Sequence, residues 1–281
     1  MKGNRPGAQP IVRVRGLTKS FGPLKAVDGV DLDIQGGESF ALLGPNGAGK
    51  STTIKMMMGL LPPDGGEVEI NGYSLRRQPL RVRQSVGYVP QSLSVDGALT
   101  GRENLYFFGR FYGLSGAEVR RRIPGILEML DLEEAASRPV ATYSGGMIRR
   151  LEIGQAVLHR PPLVFLDEPT VGMDPVSREA LWKHIRALQS RQGTTVLLTT
   201  HYMEEAESLC SRIAIMAKGK VAALGNLAQL RRQAGLPQAS LNRIFIHFAG
   251  KRRAGEEDSP EDSGQGLLSV KRSRRVARRL G

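Results

Sequence analysis

The stretch GPNGAGKST, residues 44–52, determines how the rest of the chain is interpreted. It follows an apolar run, Phe40 to Leu43, and precedes a segment of helical character. Its pattern is G-x-x-x-x-G-K-[ST], in which glycines let backbone N–H groups surround a phosphate at the positive end of the next helix. Lys50 suits the β- and γ-phosphates, and the Ser51 hydroxyl suits Mg²⁺. A Gly-rich turn is the alternative, but all defining positions match, so the sequence predicts a nucleotide-binding loop.

The composition indicates a chain that does not cross a membrane. Its 281 residues suffice for one large domain or two small ones. Its apolar stretches are only a few residues long, whereas a membrane span needs ~20 residues. Residues 1–10 are polar and rich in Gly and Pro, unlike a signal peptide. The single cysteine, Cys210, cannot form a disulfide within the chain. We therefore expect a cytoplasmic protein.

The charge is strongly positive but does not identify a partner. The formal net charge is +13, and residues 251–281 hold nine Lys or Arg against five Asp or Glu, which is +4 and leaves +9 for the rest. Such a surplus fits an anionic ligand, an anionic membrane surface or nucleic acid. The run at 271–280, KRSRRVARRL, fits either a solvated end or a contact with an anionic membrane.

Two kinds of strand pattern predict a mixed sheet. Residues 11–15 and 67–70 alternate apolar with charged side chains, which is typical of half-buried strands. Continuous short apolar runs at 40–43, 163–166 and 195–198 favour buried parallel strands. The expected fold is α/β, with a mixed sheet around a nucleotide-binding core and an antiparallel β-subdomain.

The pattern becomes helical between about residues 92 and 160, which predicts an inserted α-helical subdomain. Two capping boxes, Thr100 to Glu103 and Ser115 to Glu118, mark helix starts. Pro124 lies within the second helix and is expected to kink or delay it.

This helical region also holds a cluster of aromatic residues. Such a cluster is usually core, but it has more rings than one helix face needs. We therefore expect Phe107 or Tyr112 to contribute to a surface for a partner protein. The cluster comprises Tyr106, Phe107, Phe108, Phe111 and Tyr112.

Two carboxylates follow the apolar run in LVFLDEPT, residues 163–170. Asp167 and Glu168 therefore emerge at the end of a buried strand, where open sheets bind ligands. Asp167 suits Mg²⁺ held through water, and Glu168 suits the base that polarises the water attacking a γ-phosphate. An exposed acidic turn is the alternative, and the phosphate loop elsewhere in the chain argues against it.

A second candidate anion site begins at Ser144. This residue is a natural helix N-cap, and Gly145 and Gly146 expose backbone donors after it. One nucleotide does not need two phosphate cradles, so this one is expected to serve the nucleotide of another copy. Gln91 and His201 each follow an expected strand, and either residue alone could be ordinary.

Taken together and in this order, these pieces resemble the nucleotide-binding subunit of an ATP-binding cassette (ABC) transporter over about residues 10–235. Residues 44–52 resemble Walker A, Tyr143 to Met147 the signature, and Gln91 the Q-loop. The resemblance implies a head-to-tail dimer holding two ATP molecules, each between Walker A of one subunit and the signature of the other. It also implies that a membrane partner docks on the helical subdomain at the cytoplasmic face of a bacterial membrane.

The resemblance also assigns site residues one by one. It implies catalytic roles for Glu168, His201 and Lys50, and a Mg²⁺ site at Ser51, Gln91 and Asp167. It implies that ATP contacts come in trans from Ser144, Gly145, Gly146 and the D-loop residue Asp174. Contacts in cis are implied for Phe21, Gly44, Pro45, Asn46, Gly47, Ala48, Gly49, Lys50, Ser51 and Thr52.

Within the family, three segments are similar to the daunorubicin-resistance-type ATPases that pair with ABC-2 permeases. They are YSGGM followed by RRLEI, GRENLYFFGRFYGL, and LNRIFIHFAG. Tyr143 and Met147 depart from the commoner LSGGQ but are typical of this subfamily. Asn242 and Arg243 stand where such chains usually carry two acidic residues, which leaves the role of the distal segment open.

The expected organisation is a flexible N-terminus at 1–10, an ATPase domain at 11–235, a short segment at 236–250 and a disordered charged tail at 251–281. The expected function is an ATPase that drives export of a drug or antibiotic through a separate permease. Soluble ABC ATPases acting on ribosomes or nucleic acid are the rival class, but they usually carry two cassettes or a long coiled coil. A module that binds ATP without using it is disfavoured by Glu168 and His201 together.

Overall fold

A computed structural model describes residues 9–250 of the 281-residue chain. Its strands are β1 (Val12–Phe21), β2 (Leu24–Ile34), β3 (Ser39–Leu43), β4 (Gly65–Ile70), β5 (Tyr73–Ser74), β6 (Val86–Val89), β7 (Leu163–Asp167), β8 (Thr195–Thr200), β9 (Arg212–Ala217) and β10 (Lys220–Gly225). Its helices are α1 (Lys50–Met57), α2 (Pro79–Gln84), α3 (Gly101–Phe111), α4 (Gly116–Met129), α5 (Gly145–Leu158), α6 (Pro175–Gln192), α7 (Met203–Leu209), α8 (Leu227–Ala234) and α9 (Leu241–Gly250). A 3-10 turn at Val140–Thr142 precedes α5.

The strands form two sheets. The larger is six-stranded in the order β10-β9-β3-β8-β7-β6, and its central pairings are parallel whereas β10 runs antiparallel to β9. The smaller sheet, β2-β1-β4-β5, is antiparallel throughout. The predicted mixed sheet with an antiparallel β-subdomain is confirmed.

The central parallel strands are buried on both faces. Phe40 and Leu42 of β3 pack into a core shared with α1 and the antiparallel sheet. Ala41 and Leu43 pack into a second core shared with the helices of the inserted region. Because both faces are covered, these strands need apolar side chains at every position, which explains the continuous runs in the sequence.

The helical region predicted for about residues 92–160 consists of α3, α4 and α5. The capping box at α3 is complete, because the Thr100 hydroxyl accepts from the Glu103 N–H at 3.2 Å and the Glu103 carboxylate accepts from the Thr100 N–H at 2.9 Å. Leu105 lies fully buried one turn later, so the cap places the apolar face of α3 on the core.

The second helix differs from its prediction in two respects. Ser115 caps α4 by accepting from the Glu118 N–H at 3.1 Å, but the Glu118 carboxylate binds Arg121 and Arg122 and does not complete the box. Of the kink or delay expected at Pro124, the delay does not occur, since α4 begins at Gly116 and continues through the proline. Proline removes one N–H from the helix ladder, and the cap upstream fixes where the helix starts.

The aromatic cluster in and after α3 divides into half-buried and exposed rings. Tyr112 stacks on Phe108 and on His159, with ring centroids 4.9 and 4.1 Å apart, and is half-buried. Phe107 and Phe111 are 46% and 85% exposed. Phe107 is therefore accessible to a partner, whereas the ring of Tyr112 takes part in the packing.

The distal apolar segment is the helix α9. Leu241 and Ile244 are buried in the core shared with the helices, and the Leu241 N–H donates to Glu207 at 3.1 Å. Asn242 and Arg243 are exposed. Within residues 9–250, no helix combines the length and apolarity that a membrane crossing needs. The predictions for the charged tail, and for residues 1–8 of the N-terminus, fall outside the described residues.

Candidate functional site

The loop from Gly44 to Thr52 leaves the carboxyl end of β3 and enters α1. Gly49 is the N-cap residue of α1, with φ of 99°, and a Cβ added there would lie 2.3 Å from the carbonyl oxygen of Ala26. Gly47 also has positive φ, at 78°. Gly47 and Gly49 are therefore favoured by backbone conformation, and Gly49 is also required by the close approach of β2.

Lys50 connects this loop to the carboxylate region. Its ammonium donates to the carbonyl oxygens of Gly44 and Pro45 at 2.9 and 3.2 Å and lies 3.3 Å from Glu168 Oε1. The side chains of Lys50 and Glu168 are only 4% and 7% exposed. A charge so little solvated interacts strongly with any anion placed beside it.

Asp167, the last residue of β7, lies beside the start of α1. Its Oδ1 accepts from the Ser51 hydroxyl at 2.8 Å and from the Thr199 hydroxyl at 2.5 Å. The Asp167 carboxylate and the Ser51 hydroxyl are hard oxygen donors, which are the ligands that Mg²⁺ prefers. Residues 9–250 contain no group of three or more His, Cys, Asp or Glu that could hold a metal ion without other ligands. The chemistry of these donors fits Mg²⁺.

Glu168 is the convergence point of the site. Its backbone has φ of 49°, and its N–H donates to Thr199 of the neighbouring strand. Besides Lys50, its carboxylate accepts from Gln91 Nε2 at 3.1 Å and lies 3.5 Å from His201 Nδ1. The last distance is not a hydrogen bond, because His201 Nδ1 has no hydrogen-bond partner among the described residues.

The structure thus brings together six of the side chains selected from sequence, contributed by the ends of β3, β6, β7 and β8. Parallel strands bring their carboxyl ends to one edge of the sheet, which is why such distant segments meet. The six are Lys50, Ser51, Gln91, Asp167, Glu168 and His201.

Phe21 lies apart from this cluster, at the β1–β2 turn. Its side chain is 50% exposed, and the Lys19 ammonium lies 5.8 Å from its ring centroid. An exposed ring of this kind is available for stacking.

The second predicted anion site is an exposed helix start. The Ser144 hydroxyl caps α5 by accepting from the Met147 N–H at 3.3 Å, and Ser144 and Gly145 are exposed. Among residues 9–250, no hydrogen bond or ion pair joins Ser144, Gly145 or Gly146 to the loop at 44–52 or to Glu168. The cradle and the cluster are separate within one chain.

The two residues that depart from the commoner signature have clear packing roles. Tyr143 is buried, and its hydroxyl donates to the Ala135 carbonyl at 2.7 Å. A Cβ at Gly101 would lie 2.4 Å from that hydroxyl, so the glycine makes room for the ring. Met147 packs against the core shared with the helices. Both departures anchor the start of α5 and leave its exposed backbone donors unchanged.

Asp174 lies next to this cradle on the same chain. It caps α6 by accepting from the Ser177 N–H at 2.9 Å, and the hydrogen bonds from Ser177 lower the pKa of Asp174. A Cβ at Gly146 would lie 3.5 Å from the Ser177 hydroxyl. Asp174 and the start of α5 at Gly145 and Gly146 therefore lie side by side on the surface of the chain.

Sequence reasoning missed the residues that hold the Gln91 loop in place. Arg149 of α5 donates to the carbonyl oxygens of Pro90 and Gln91 at 2.6 and 2.9 Å, and it pairs with Glu152 at 2.9 Å. Glu152 also accepts from the backbone N–H of Ser94 at 2.6 Å. The sequence signal was a charged pair spaced i, i+3 in α5, which does not show by itself that the pair is buried.

The profile of the ABC transporter family matches residues 27–171. The linearmycin resistance ATP-binding protein LnrL of Bacillus subtilis (strain 168) is 42% identical over 242 residues, covering 84% of this chain and 78% of that protein. The daunorubicin/doxorubicin resistance ATP-binding protein DrrA of Streptomyces peucetius is 43% identical over 245 residues, covering 87% and 73%.

Solved structures of ABC transporter cassettes also match this chain. The structure of an ATP-binding subunit of an ABC transporter matches with a TM-score of 0.76 and 36% identity, covering 85% of this chain and 99% of that one. A dimeric bacterial ABC transporter cassette matches with a TM-score of 0.70 and 28% identity, covering 77% and 98%.

Proposed function

The chain belongs to the ABC transporter family and is an ATPase of that family, and from this premise we propose that it powers an ABC-2-type export system through a separate membrane permease. The observation that supports hydrolysis best is the convergence of Lys50, Gln91 and His201 on the buried carboxylate of Glu168. A chain that only held ATP would not need a base surrounded in this way.

The proposed binding roles follow from the contacts. Lys50 and the backbone N–H groups of the loop at 44–52 hold the β- and γ-phosphates, and Phe21 stacks on the adenine. Ser51, Asp167 and Gln91 hold Mg²⁺, which when bound neutralises phosphate charge. The Lys50 ammonium contacts both the loop carbonyls and Glu168. The γ-phosphate is therefore proposed to bind beside this ammonium, between the loop and Glu168.

The proposed base is Glu168. Its carboxylate orients the attacking water and accepts its proton. Gln91 fixes the carboxylate by its hydrogen bond, and His201 contacts the γ-phosphate. The buried setting excludes other water from the reacting atoms and strengthens each charge interaction.

The exposed cradle at Ser144 is proposed to act in a homodimer. Ser144, Gly145, Gly146 and Asp174 of one copy contact the ATP held by the loop of the other copy. The support is that the cradle is an exposed helix start, that no hydrogen bond from the Gly145 or Gly146 N–H is found within residues 9–250, and that it is separate from the cluster in its own chain. Two copies arranged head to tail place one cradle on each ATP.

The membrane partner is proposed to dock on the helical region at the cytoplasmic face of a bacterial cell membrane, where this chain is a peripheral subunit. Phe107 and Phe111 lie one helical turn apart on α3, so they share a face and expose apolar surface. The names of LnrL and DrrA refer to antibiotic resistance. The proposed cargo is therefore a drug or antibiotic that moves through the permease without touching this chain.

An affinity pull-down of the tagged chain from detergent-solubilised cells tests the export proposal. We expect mass spectrometry to find a polytopic permease in stoichiometric amounts. A Phe107→Ser, Phe111→Ser double variant should lose that partner, and a Leu24→Ser variant, altered at another exposed apolar residue, should keep it. Recovery of ribosomal or nucleic-acid-binding proteins in place of a permease would contradict the proposal and leave the ATP site unchanged.

A further inference from the structure

The Gln91 loop is attached to α5 by a buried ion pair. The side chains of Arg149 and Glu152 are 7% and 1% exposed, and their closest atoms are 2.9 Å apart. Burial raises the pKa of Glu152, and the Arg149 charge opposes that shift. A buried pair is maintained only when additional hydrogen bonds satisfy the rest of both groups.

Those additional bonds all go to one loop. Arg149 donates to the carbonyl oxygens of Pro90 and Gln91, and Glu152 accepts from both the N–H and the hydroxyl of Ser94, at 2.6 and 3.0 Å. The pair therefore holds the loop on both sides of Gln91. A planar guanidinium can reach two carbonyls and a carboxylate at once, and a lysine ammonium cannot match that fork.

In the proposed dimer, the Gln91 loop and the helix α5 that the pair joins contact different ATP molecules. Gln91 Nε2 donates to Glu168, so the loop reports on the ATP of its own chain. The helix α5 that carries Arg149 starts at Ser144, whose cradle serves the ATP of the other copy. Less than two helical turns separate the cap from Arg149.

We infer that Arg149 and Glu152 are positioning residues that make the Gln91 loop and the Ser144 helix start move as one body and so couple the two ATP sites of the dimer. This inference rests on the proposed head-to-tail dimer. When the cradle of α5 closes on one ATP, the same helix sets the position of Gln91 at the other. Without the Arg149–Glu152 pair, each site still binds ATP. Closure of the Ser144 cradle on one ATP then no longer aligns Glu168 at the other.

The test measures steady-state ATP hydrolysis and equilibrium ATP binding for the Arg149→Gln variant. It uses the purified chain if the wild-type chain hydrolyses ATP alone, and the permease complex if it does not. We expect kcat to fall by about 10- to 100-fold, as for other supporting groups, and the Hill coefficient to fall toward one. ATP affinity should stay within about twofold, since Arg149 does not touch the loop at 44–52. If the wild-type protein does not hydrolyse ATP in the same assay, the proposed function fails. If it does and the variant behaves like it, only this inference fails.

Arg150→Gln is the matched control. It removes the same charge from the neighbouring position, but Arg150 donates to the Leu130 carbonyl at 2.8 Å and does not contact the Gln91 loop. It should keep the wild-type kcat and cooperativity. Arg149→Lys, which keeps the charge and has a simpler donor geometry, should fall between wild type and Arg149→Gln and covers the case in which Arg149→Gln does not fold.

A double-mutant cycle with Gln91→Ala distinguishes positioning from general stabilisation. If Arg149 acts through Gln91, adding the Arg149 substitution to Gln91→Ala should change kcat by less than about twofold. Multiplicative effects of the two substitutions, or wild-type kcat and cooperativity in folded Arg149→Gln, would overturn the inference.

Discussion

Replacing Glu168 by Gln is expected to abolish ATP turnover while ATP binding persists. The amide keeps the size of the side chain but cannot accept the proton of the attacking water, and a positioned base contributes about 10²–10⁴-fold. The substitution also removes the charge that faces Lys50 at 3.3 Å, so the ammonium becomes freer to bind phosphate. ATP affinity should therefore be unchanged or higher. Phosphate release and equilibrium nucleotide binding measure the two effects separately.

The control for this experiment is Glu179→Gln. Glu179 lies on α6, where it forms an exposed pair with Arg186 at 2.9 Å, and the same chemical change there should leave turnover unaffected. Hydrolysis at the wild-type rate in the Glu168 variant would mean that another group acts as the base.

Replacing Lys50 by Met should weaken ATP binding and abolish hydrolysis. The ammonium is almost fully buried and aimed into the phosphate loop. Hydrogen bonds to charged groups contribute about 1.5–3 kcal/mol, which corresponds to a loss of affinity of about 10- to 100-fold. Equilibrium binding of ATP to the purified variant is the measurement.

Lys55→Met is the matched control for Lys50, since Lys55 is exposed on the same helix, α1. Because the Lys50 variant leaves Glu168 buried without its counter-charge, a thermal melt must show that the protein is folded. A folded Lys50 variant that binds ATP as tightly as the Lys55 variant would contradict the proposed role.

The sequence was most informative where local chemistry alone dictates structure. The glycines at 47 and 49 need positive φ, and the run before Asp167 is apolar at every position because β7 is covered on both faces. Such constraints restrict which residues fit at these positions, so they appear in the sequence as a motif with fixed spacing. Together they predicted that Lys50, Asp167 and Glu168 would meet at one edge of a sheet, and the structure confirms this proximity.

The residues that were missed depend on tertiary contacts. Arg149 and Glu152 have the i, i+3 spacing of an ordinary solvated pair on a helix surface. Their burial results from the loop at 90–94 folding over them, and no spacing in the sequence records that contact. The delay that was one of two effects expected at Pro124 does not occur, because the Ser115 cap fixes where the helix starts.

Mixing two inactive variants tests most directly that each ATP is hydrolysed between two copies. Lys50→Met destroys the phosphate loop, and Gly146→Asp should destroy the exposed cradle by placing a carboxylate beside the γ-phosphate. In a mixed dimer of the proposed arrangement, one site carries both defects and the other carries neither. Random mixing should therefore restore up to about a quarter of wild-type turnover, because half the dimers are mixed and each has one intact site. A mixture as inactive as its two components, with mixed dimers shown to form, would contradict the head-to-tail account.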